Sequence, residues 1–251
     1  MSEKQKINAA YRLHEILKAA VAQQPNVSNL QVWSNVFDVQ HSGRRQKQAV
    51  NRGIDLIYDQ LDILVGYLKR NEYAEEVIQD LVNAIEGNIS MEFAHQAWQD
   101  FRQRLINQII PLRIYSNTIP SEESLISPTD LKDIQDELDA LQLSLDNKGV
   151  PSEVRDYVKK QFDFIRRAFW EYKFRGLHAF DDALMDGVRE SYVQHVTVEK
   201  HKNDPEVQEV SKMWGKVWEV VIKAGQAGTA LTAGQHFYQL VASTLKLTGH
   251  H

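Results

Sequence analysis

Apolar residues recur every three or four positions along most of the chain, and this spacing constrains the fold more than any other feature of the sequence. It places the apolar side chains on one face of an α-helix, and that face must be buried against another helix. No stretch alternates apolar and polar residues as a half-buried strand does. We therefore predict an all-α fold, a multi-helix bundle. The clearest runs are Val50, Ile54, Ile57, Leu61, Leu64 and Leu68; Leu131, Ile134, Leu138, Leu141 and Leu145; and Val154, Val158, Phe162, Ile165, Phe169 and Tyr172.

Composition excludes several classes of function. The 251 residues include no cysteine, which excludes disulfides, thiolate zinc sites and cysteine catalysis. The formal net charge of −5 gives no general electrostatic attraction to nucleic acid or to anionic membranes. Residues 1–20 lack the uninterrupted apolar core of a signal peptide. We therefore expect a cytoplasmic protein with no cofactor and no bound metal.

A segment rich in proline and serine divides the chain. Residues 111–129 contain three of the six prolines, and such segments commonly connect domains. We predict an N-terminal helical region over residues 1–110 and a C-terminal helical region over residues 130–249, joined by this linker. In the first region the helices are expected near 3–23, 28–39, 44–69, 73–86 and 89–109. In the second region they are expected near 177–198, 205–224 and 229–246, after a helical hairpin over 130–175.

The C-terminal region is predicted to begin with this central antiparallel hairpin, whose arms are residues 130–147 and 152–175. Gly149 is suited to the left-handed conformation that ends a helix, and Ser152 is suited to capping the next one. The first arm is rich in Asp and Glu and the second in Lys and Arg, so that their opposite charges favour pairing. Ser28 is the corresponding N-cap candidate for a helix of the N-terminal region.

Residues 223–244, KAGQAGTALTAGQHFYQLVAST, carry no charged side chain after Lys223. They do not match a phosphate-binding loop, because the lysine precedes the glycines. The uncharged run is long enough to cross a bilayer, but several glutamines would then enter the hydrocarbon. One interpretation is a soluble helix whose small residues, including Gly228 and Gly234, let another helix approach closely. The alternative is a membrane-active effector that uses residues 213–246.

Aromatic residues outside the main apolar stripes indicate binding to a protein. Trp170 and Phe174 lie one turn apart on an adjoining helix face, and Trp214 and Trp218 lie one turn apart just before the glycine-rich segment. A helix with apolar residues on more than one face usually packs against two neighbours or against another protomer. We therefore assign these four residues, with the two glycines named above, to partner binding. The expected partner is a second copy of the chain or another protein.

The stretch RESYVQH, from Arg189 to His195, resembles the Arg-x4–6-His motif of HEPN ribonucleases, which are small all-helical domains. The resemblance implies that Arg and His side chains of two protomers line a cleft, where His195 assists attack by the RNA 2′-hydroxyl and Arg189 stabilises the charge of the scissile phosphate. Such proteins often carry a small polar residue after the arginine, whereas this chain has Glu190, which would repel phosphate. An alternative is that Arg189 is solvated. His195 would then extend the apolar face that includes Leu184 and Val188.

No catalytic set in the sequence is complete. The Glu-x-x-His pair of Glu92 and His95 has no second copy, which a di-iron helical bundle would require. The basic cluster over residues 44–52 offers a partner surface, but the net charge does not favour nucleic acid. The leading hypothesis is a helical interaction or assembly protein that acts by self-association or partner docking through its C-terminal half. The alternatives are a HEPN-like ribonuclease effector, as a toxin or defence component, and the membrane-active effector.

Overall fold

A computed structural model describes residues 6–145 and 149–225. These residues form ten α-helices, one short 3₁₀ helix and two strands of two residues each, which confirms the predicted all-α fold. The strands are β1 (Lys6–Ile7) and β2 (Glu123–Ser124). The helices are α1 (Ala9–Val21), α2 (Asn29–Val36), α3 (Gly43–Arg70), α4 (Glu75–Glu86), the 3₁₀ helix (Met91–Phe93), α5 (Gln99–Thr118), α6 (Pro128–Leu145), α7 (Ser152–Arg175), α8 (His178–Val193), α9 (His195–Lys200) and α10 (Pro205–Ala224). The predicted helix 229–246 lies outside the described residues.

The chain divides into two compact units. Unit N comprises Ile7–Ser121 and Lys173–Arg175. Of the described residues, unit C comprises Lys6, residues 122–145, residues 149–172 and residues 176–225. The boundary after Ser121 falls inside the segment 111–129, which the sequence predicts to be a linker. The last three residues of α7 belong to unit N, whereas the rest of this helix belongs to unit C.

Unit N is built around α1, which packs against α5 and α3. The predicted apolar stripe that begins at Val50 on α3 is buried throughout. The buried side chain of Asn8 caps α1, because its Oδ1 accepts a hydrogen bond from the Tyr11 N–H at 2.9 Å. Its Nδ2 also donates to the backbone carbonyls of Ser116 and Ile119, at 3.0 and 3.1 Å. One amide therefore holds the start of α1 against the end of α5.

Helix α5 continues through Pro111, where the sequence predicts the start of the linker over 111–129. Proline in a helix interior costs about 3 kcal/mol, because it lacks a backbone N–H and its ring clashes with the preceding turn. Burial of Leu112 and Tyr115 beside the proline offsets this cost. The predicted linker is therefore too long, and the non-helical connection between α5 and α6 covers only residues 119–127.

The predicted helix over 89–109 is wrong at its start. The 3₁₀ helix Met91–Phe93 is followed by turns, and α5 begins only at Gln99. The backbone N–H of Trp98 donates to the carbonyl of Val27 at 2.9 Å, in the segment just before α2. A helix continuous through this stretch would use that N–H for its own ladder, so the bond to another segment ends the helical pattern here.

The predicted helix caps are confirmed at one of three positions. Ser28 caps α2, because its Oγ accepts a hydrogen bond at 3.3 Å from the backbone N–H three residues further on. Gly149 does not adopt a positive φ, and Pro151 rather than Ser152 occupies the N-cap position of α7. A positive φ of 57° is found instead at Gly176, where α7 ends.

Opposite charges meet where the sequence predicts a hairpin. The predicted arms are helical over residues 130–145 and 152–175, and Arg166 of α7 forms an ion pair with Asp139 of α6 at 3.2 Å. This pair is exposed, so it contributes no more than about 1 kcal/mol. Residues 146–148 lie outside the described residues, and the antiparallel packing of the two arms stays a prediction.

A buried amide joins three helices of unit C. Gln161 of α7 is fully buried. Its Nε2 donates to the backbone carbonyl of Gly187 in α8 at 3.0 Å, and its Oε1 accepts from the Trp214 indole N–H of α10 at 2.8 Å. A Cβ at Gly187 would lie 2.8 Å from both the Trp214 ring and the Gln161 Oε1. The missing side chain at this position therefore lets α10 and α8 approach the amide.

We expect Gly187→Ala to lower the free energy of unfolding by about 1–3 kcal/mol, because the added methyl group overpacks the contact with Trp214. Gly215→Ala is the matched control, since Gly215 lies inside α10 of the same unit and an added Cβ there would meet no atom within 4 Å. The control should be stabilised by about 0.5–1 kcal/mol through helix propensity. Urea denaturation measures both, and equal effects of the two substitutions would contradict the packing argument.

Candidate functional site

The outer side of α8 and α9 exposes a group of apolar side chains. Tyr192 is 77% exposed, Val196 67%, Val193 65% and Met185 49%. Exposed single apolar residues are common, but a contiguous group of large ones marks an interaction site. We call these four residues and Arg189 the α8–α9 surface.

Helical geometry places the members of this surface together. Met185, Arg189, Tyr192 and Val196 are spaced by four, three and four residues, which is the spacing of one helix face. The break between α8 and α9 is small, because Gln194 N–H donates to the Glu190 carbonyl and Val198 N–H donates to the Gln194 carbonyl. Both bonds join residues four apart, as in an α-helix, so the stripe continues from α8 into α9.

The inner side of α8 is fixed by polar contacts. The Ser191 hydroxyl lies 2.9 Å from the Tyr157 hydroxyl and 3.2 Å from the Gln161 Nε2. Burial raises the pKa of Tyr157, which keeps its hydroxyl protonated and able to donate. Glu190 is buried and pairs with the Lys160 Nζ at 2.6 Å. These contacts orient α8 so that its other side faces solvent.

The end of α9 is also anchored. Lys200 pairs with Glu153, at the start of α7, at 3.1 Å. The pKa of Glu153 is lowered to about 2, chiefly by a hydrogen bond from its own backbone N–H and then by Lys200. The next residue, His201, is bonded through Nδ1 to the Asp204 carboxylate at 2.8 Å. The exposed stripe therefore lies on a scaffold that is held at both ends.

The structure leaves both Arg189, on α8, and His195, at the start of α9, exposed in unit C. The Arg189 side chain is 75% exposed and pairs with Asp186, one turn back, at 3.2 Å. His195 is exposed, and its Nδ1 lies 3.2 Å from the Tyr192 carbonyl. The rings of Tyr192 and His195 have their centroids 6.3 Å apart. An exposed arginine beside an aromatic ring and aliphatic side chains is the composition that protein interfaces favour.

The alternative interpretation of RESYVQH is confirmed for the arginine and wrong for the histidine. Arg189 is solvated, as that interpretation expects. His195 does not extend the apolar face of α8, because α8 ends at Val193 and His195 is the exposed first residue of α9. Glu190 points into the unit and is paired with Lys160, so its charge is balanced away from the exposed stripe.

The aromatic residues assigned to partner binding lie largely in the cores of the two units. Phe174 is fully buried in unit N, where its ring packs edge-on against Phe37 at 5.1 Å. Trp214 and Trp218 are buried in unit C, and Trp170 is half-buried. The surplus of apolar faces seen in the sequence is thus largely used within the chain. A partner role for these residues stays a prediction, and Gly228 and Gly234 lie outside the described residues.

Neither membrane insertion nor metal binding gains support from the described part of the chain. No helix within residues 6–145 and 149–225 is both long enough and apolar enough to cross a bilayer. Of the segment 213–246, the part in α10 buries Met213, Trp214, Val217, Trp218, Val221 and Ala224 in unit C, and residues 226–246 lie outside the described residues. The same described ranges hold no group of three His, Asp or Glu side chains that could bind a metal.

The other residues singled out in the sequence lie at the surface. Glu92 and His95 are both exposed, as are Arg44, Arg45 and Lys47 at the start of α3.

Comparison of the chain with protein-family models, with curated proteins and with solved structures finds no match. The assignment of the α8–α9 surface as the candidate site therefore depends on the residues of this chain alone. Sequence reasoning singled out Arg189 and missed Met185, Tyr192, Val193 and Val196. Their helical spacing is visible in the sequence, but spacing alone does not say which side of a helix faces solvent.

The surroundings of Lys173 lower its pKa well below the ordinary lysine value. This lysine lies near the end of α7, in unit N, and its Nζ donates to the Val36 carbonyl at 3.2 Å. Burial lowers its pKa to about 8, and the charge of Asp38 opposes the shift. The ammonium also lies 5.5 Å from the centroid of the Phe174 ring. Because these contacts are all within unit N and the α8–α9 surface belongs to unit C, Lys173 is a structural group rather than part of that site.

We expect Lys173 to make the stability of the protein depend on pH. Between about pH 8 and the ordinary lysine value of 10.5, the folded state binds fewer protons than the unfolded state, so this residue makes the free energy of unfolding rise with pH. Lys173→Met removes this titrating group. The free energy of unfolding of wild type should therefore rise relative to that of the variant as the pH increases across this window. Urea denaturation from pH 7 to 10.5 measures it. Parallel pH curves would contradict the assignment, and Lys18→Met, an exposed lysine on α1, serves as the control.

Proposed function

We propose that the protein is an interaction protein that binds another protein chain, a second copy or a partner, through the α8–α9 surface. The observation that carries the proposal is the contiguous exposure of Met185, Tyr192, Val193 and Val196 on one face. Its location in residues 130–249 agrees with the expected role of the C-terminal half. A cytoplasmic location, expected from the absence of cysteine, is part of the same proposal.

The chemistry of the surface favours a protein as its ligand. Burying a valine or a residue of similar size that would otherwise stay in water contributes about 1.5–3 kcal/mol. Tyrosine and arginine are the residue types most often found at the energetic centre of an interface, and Tyr192 lies one turn from Arg189. The scaffold beneath is held by Gln161 and by the Lys160–Glu190 pair, so that little ordering of the backbone is needed on binding.

We expect the double substitution Tyr192→Ser and Val196→Ser to weaken binding by at least about 100-fold, because both exposed groups lose their apolar contact with the partner. Native mass, measured by size exclusion with light scattering, reports self-association. Co-purification with a stoichiometric partner, identified by mass spectrometry, reports heterologous binding. In either case the wild type should retain the bound chain and the variant should lose it.

Leu143→Ser is the matched control, since Leu143 of α6 is 73% exposed in the same unit but lies apart from the surface in sequence and is not part of the stripe. Removing it should change neither the native mass nor the bound partner. A wild-type protein that is a monomer and retains no stoichiometric partner would contradict the proposal. An equal loss for Leu143→Ser would show that general surface hydrophobicity, and not this stripe, is responsible.

A HEPN-like ribonuclease is the second candidate, favoured by one specific observation. Glu190, which the sequence analysis expects to repel phosphate, is buried and paired with Lys160 at 2.6 Å, while Arg189 and His195 are both exposed. In this proposal His195 assists attack by the RNA 2′-hydroxyl and Arg189 stabilises the charge of the scissile phosphate. Both roles follow from the resemblance of RESYVQH and from the exposure of the two side chains.

If this second candidate is correct, Arg189→Ala and His195→Ala should each lower RNA cleavage by about 100-fold or more, since each removes a group that acts on the reacting atoms. Cleavage of a labelled single-stranded RNA by the purified protein measures this. His178→Ala is the control, because His178 is an exposed histidine of α8, the helix that carries Arg189. An RNA left intact by wild type, or cleavage that survives both substitutions, rules the ribonuclease out.

A further inference from the structure

Helix α5 of unit N carries a second exposed stripe that the α8–α9 surface does not include. Its members are spaced by four, three, four and three residues, as one face of a helix requires. All of them are exposed, with Ile110 at 71% and Ile114 at 55%. We call Gln103, Asn107, Ile110, Ile114 and Asn117 the α5 stripe. Two large isoleucines one turn apart in water, on a helix whose opposite face is buried, indicate an unfilled contact.

Four of the five stripe residues, all but Gln103, are placed symmetrically along the helix. Two isoleucines lie at the centre, and Asn107 and Asn117 lie at equal distances on either side of residue 112. When two copies of a helix pack antiparallel across a two-fold axis at residue 112, each position faces its mirror position in the other copy. Ile110 then faces Ile114 of the second copy, and Asn107 faces Asn117 of the second copy. Apolar groups therefore meet apolar groups, and amides meet amides.

Pro111 supplies a further element of this complementarity, and it favours the antiparallel arrangement. The carbonyl of Asn107 would normally accept a hydrogen bond from the N–H four residues later, but that residue is Pro111, which has no N–H. The facing Asn117 of a second copy brings a side-chain NH₂ that can donate to this carbonyl. The mirrored arrangement thus places a donor beside a carbonyl that lacks its usual donor four residues later.

A charged side chain beside the stripe weakens the proposed contact. The five stripe residues are all uncharged, and the exposed Arg113 lies at its edge. Antiparallel packing places the two Arg113 side chains on the same edge, where they repel each other weakly. Salt screens that repulsion, so added salt should strengthen this contact, whereas it would weaken one held by ion pairs.

From these observations we infer that α5 is a self-association surface, which binds α5 of a second copy in an antiparallel, two-fold arrangement centred on residue 112. One helix stripe buries less than the roughly 800 Å² per partner of a standard stable interface. The association is therefore weak on its own and depends on concentration. It involves a different unit from the α8–α9 surface and is independent of the function proposed above.

Cysteine crosslinking of the full chain tests the register, since the chain has no cysteine of its own. Asn107→Cys and Asn117→Cys variants are prepared separately, then mixed at high-micromolar concentration and treated with a short bismaleimide. In the antiparallel arrangement residue 107 faces residue 117, while like positions lie about 15 Å apart along the helix axis. We expect the mixture to give crosslinked dimers of one variant with the other, and each variant alone to give few.

Two further variants make the result decisive. Ile110→Lys, introduced into both partners, should lower the crosslink yield by about tenfold, because it places charge at the apolar centre; circular dichroism verifies that the helices are retained. Arg104→Cys, exposed on another side of α5, should not crosslink with Asn117→Cys. Equal yields from each variant alone and from the mixture, or a yield unaffected by Ile110→Lys, would overturn the inference.

The same experiment separates this inference from the proposed function. Adding Tyr192→Ser and Val196→Ser to the cysteine variants should leave the crosslink yield unchanged, because those residues lie on the α8–α9 surface. A crosslink lost in that background would overturn α5 as an independent contact. Loss of the crosslink through Ile110→Lys alone supports it, whatever binds to α8 and α9.

Discussion

The hydrogen bonds of Gln161 hold the interior of unit C in register. A buried amide without partners costs several kcal/mol, so the native arrangement requires the Gly187 carbonyl of α8 and the Trp214 indole N–H of α10 to meet it in the correct places. An apolar side chain at this point would tolerate rotation or sliding of α8. The amide does not, and the outward direction of Tyr192 and Val196 is a result of that fixed orientation.

Much of the fold follows from helical periodicity, and the differences have identifiable causes. The stripe from Val50 to Leu68 is buried as its spacing predicts, because a face of that kind has no other stable location. The sequence predicts a linker from Pro111 onward, yet packing of α5 against α1 outweighs the local cost of a proline. It also predicts a left-handed Gly149, but a positive φ occurs instead at Gly176, a position determined by the end of α7 and not by local composition alone.

The candidate site is less accessible to sequence reasoning. Helix α8 has apolar residues on two sides, with Leu184 buried and Met185 exposed, and the sequence does not say which side meets the core. The burial of most of the aromatic residues assigned to partner binding is hidden from the sequence for a related reason. Phe174 belongs to unit N although most of its helix belongs to unit C, and no local pattern indicates that one helix contributes to two units. Arg189 is found from the sequence because its spacing from His195 resembles a known motif.

The proline inside α5 also bears on the order in which this protein acquires its shape. A segment of twenty residues with a central proline has little tendency to become helical by itself, since nucleation is already unfavourable and the proline removes a bond from the middle. The helix is maintained by α1 and by the Asn8 bonds to its last turn. Its exposed stripe is therefore created by folding and is absent from the unfolded chain. A newly made chain cannot display this surface before unit N is complete, so the self-association inferred for α5 would follow folding and not accompany it.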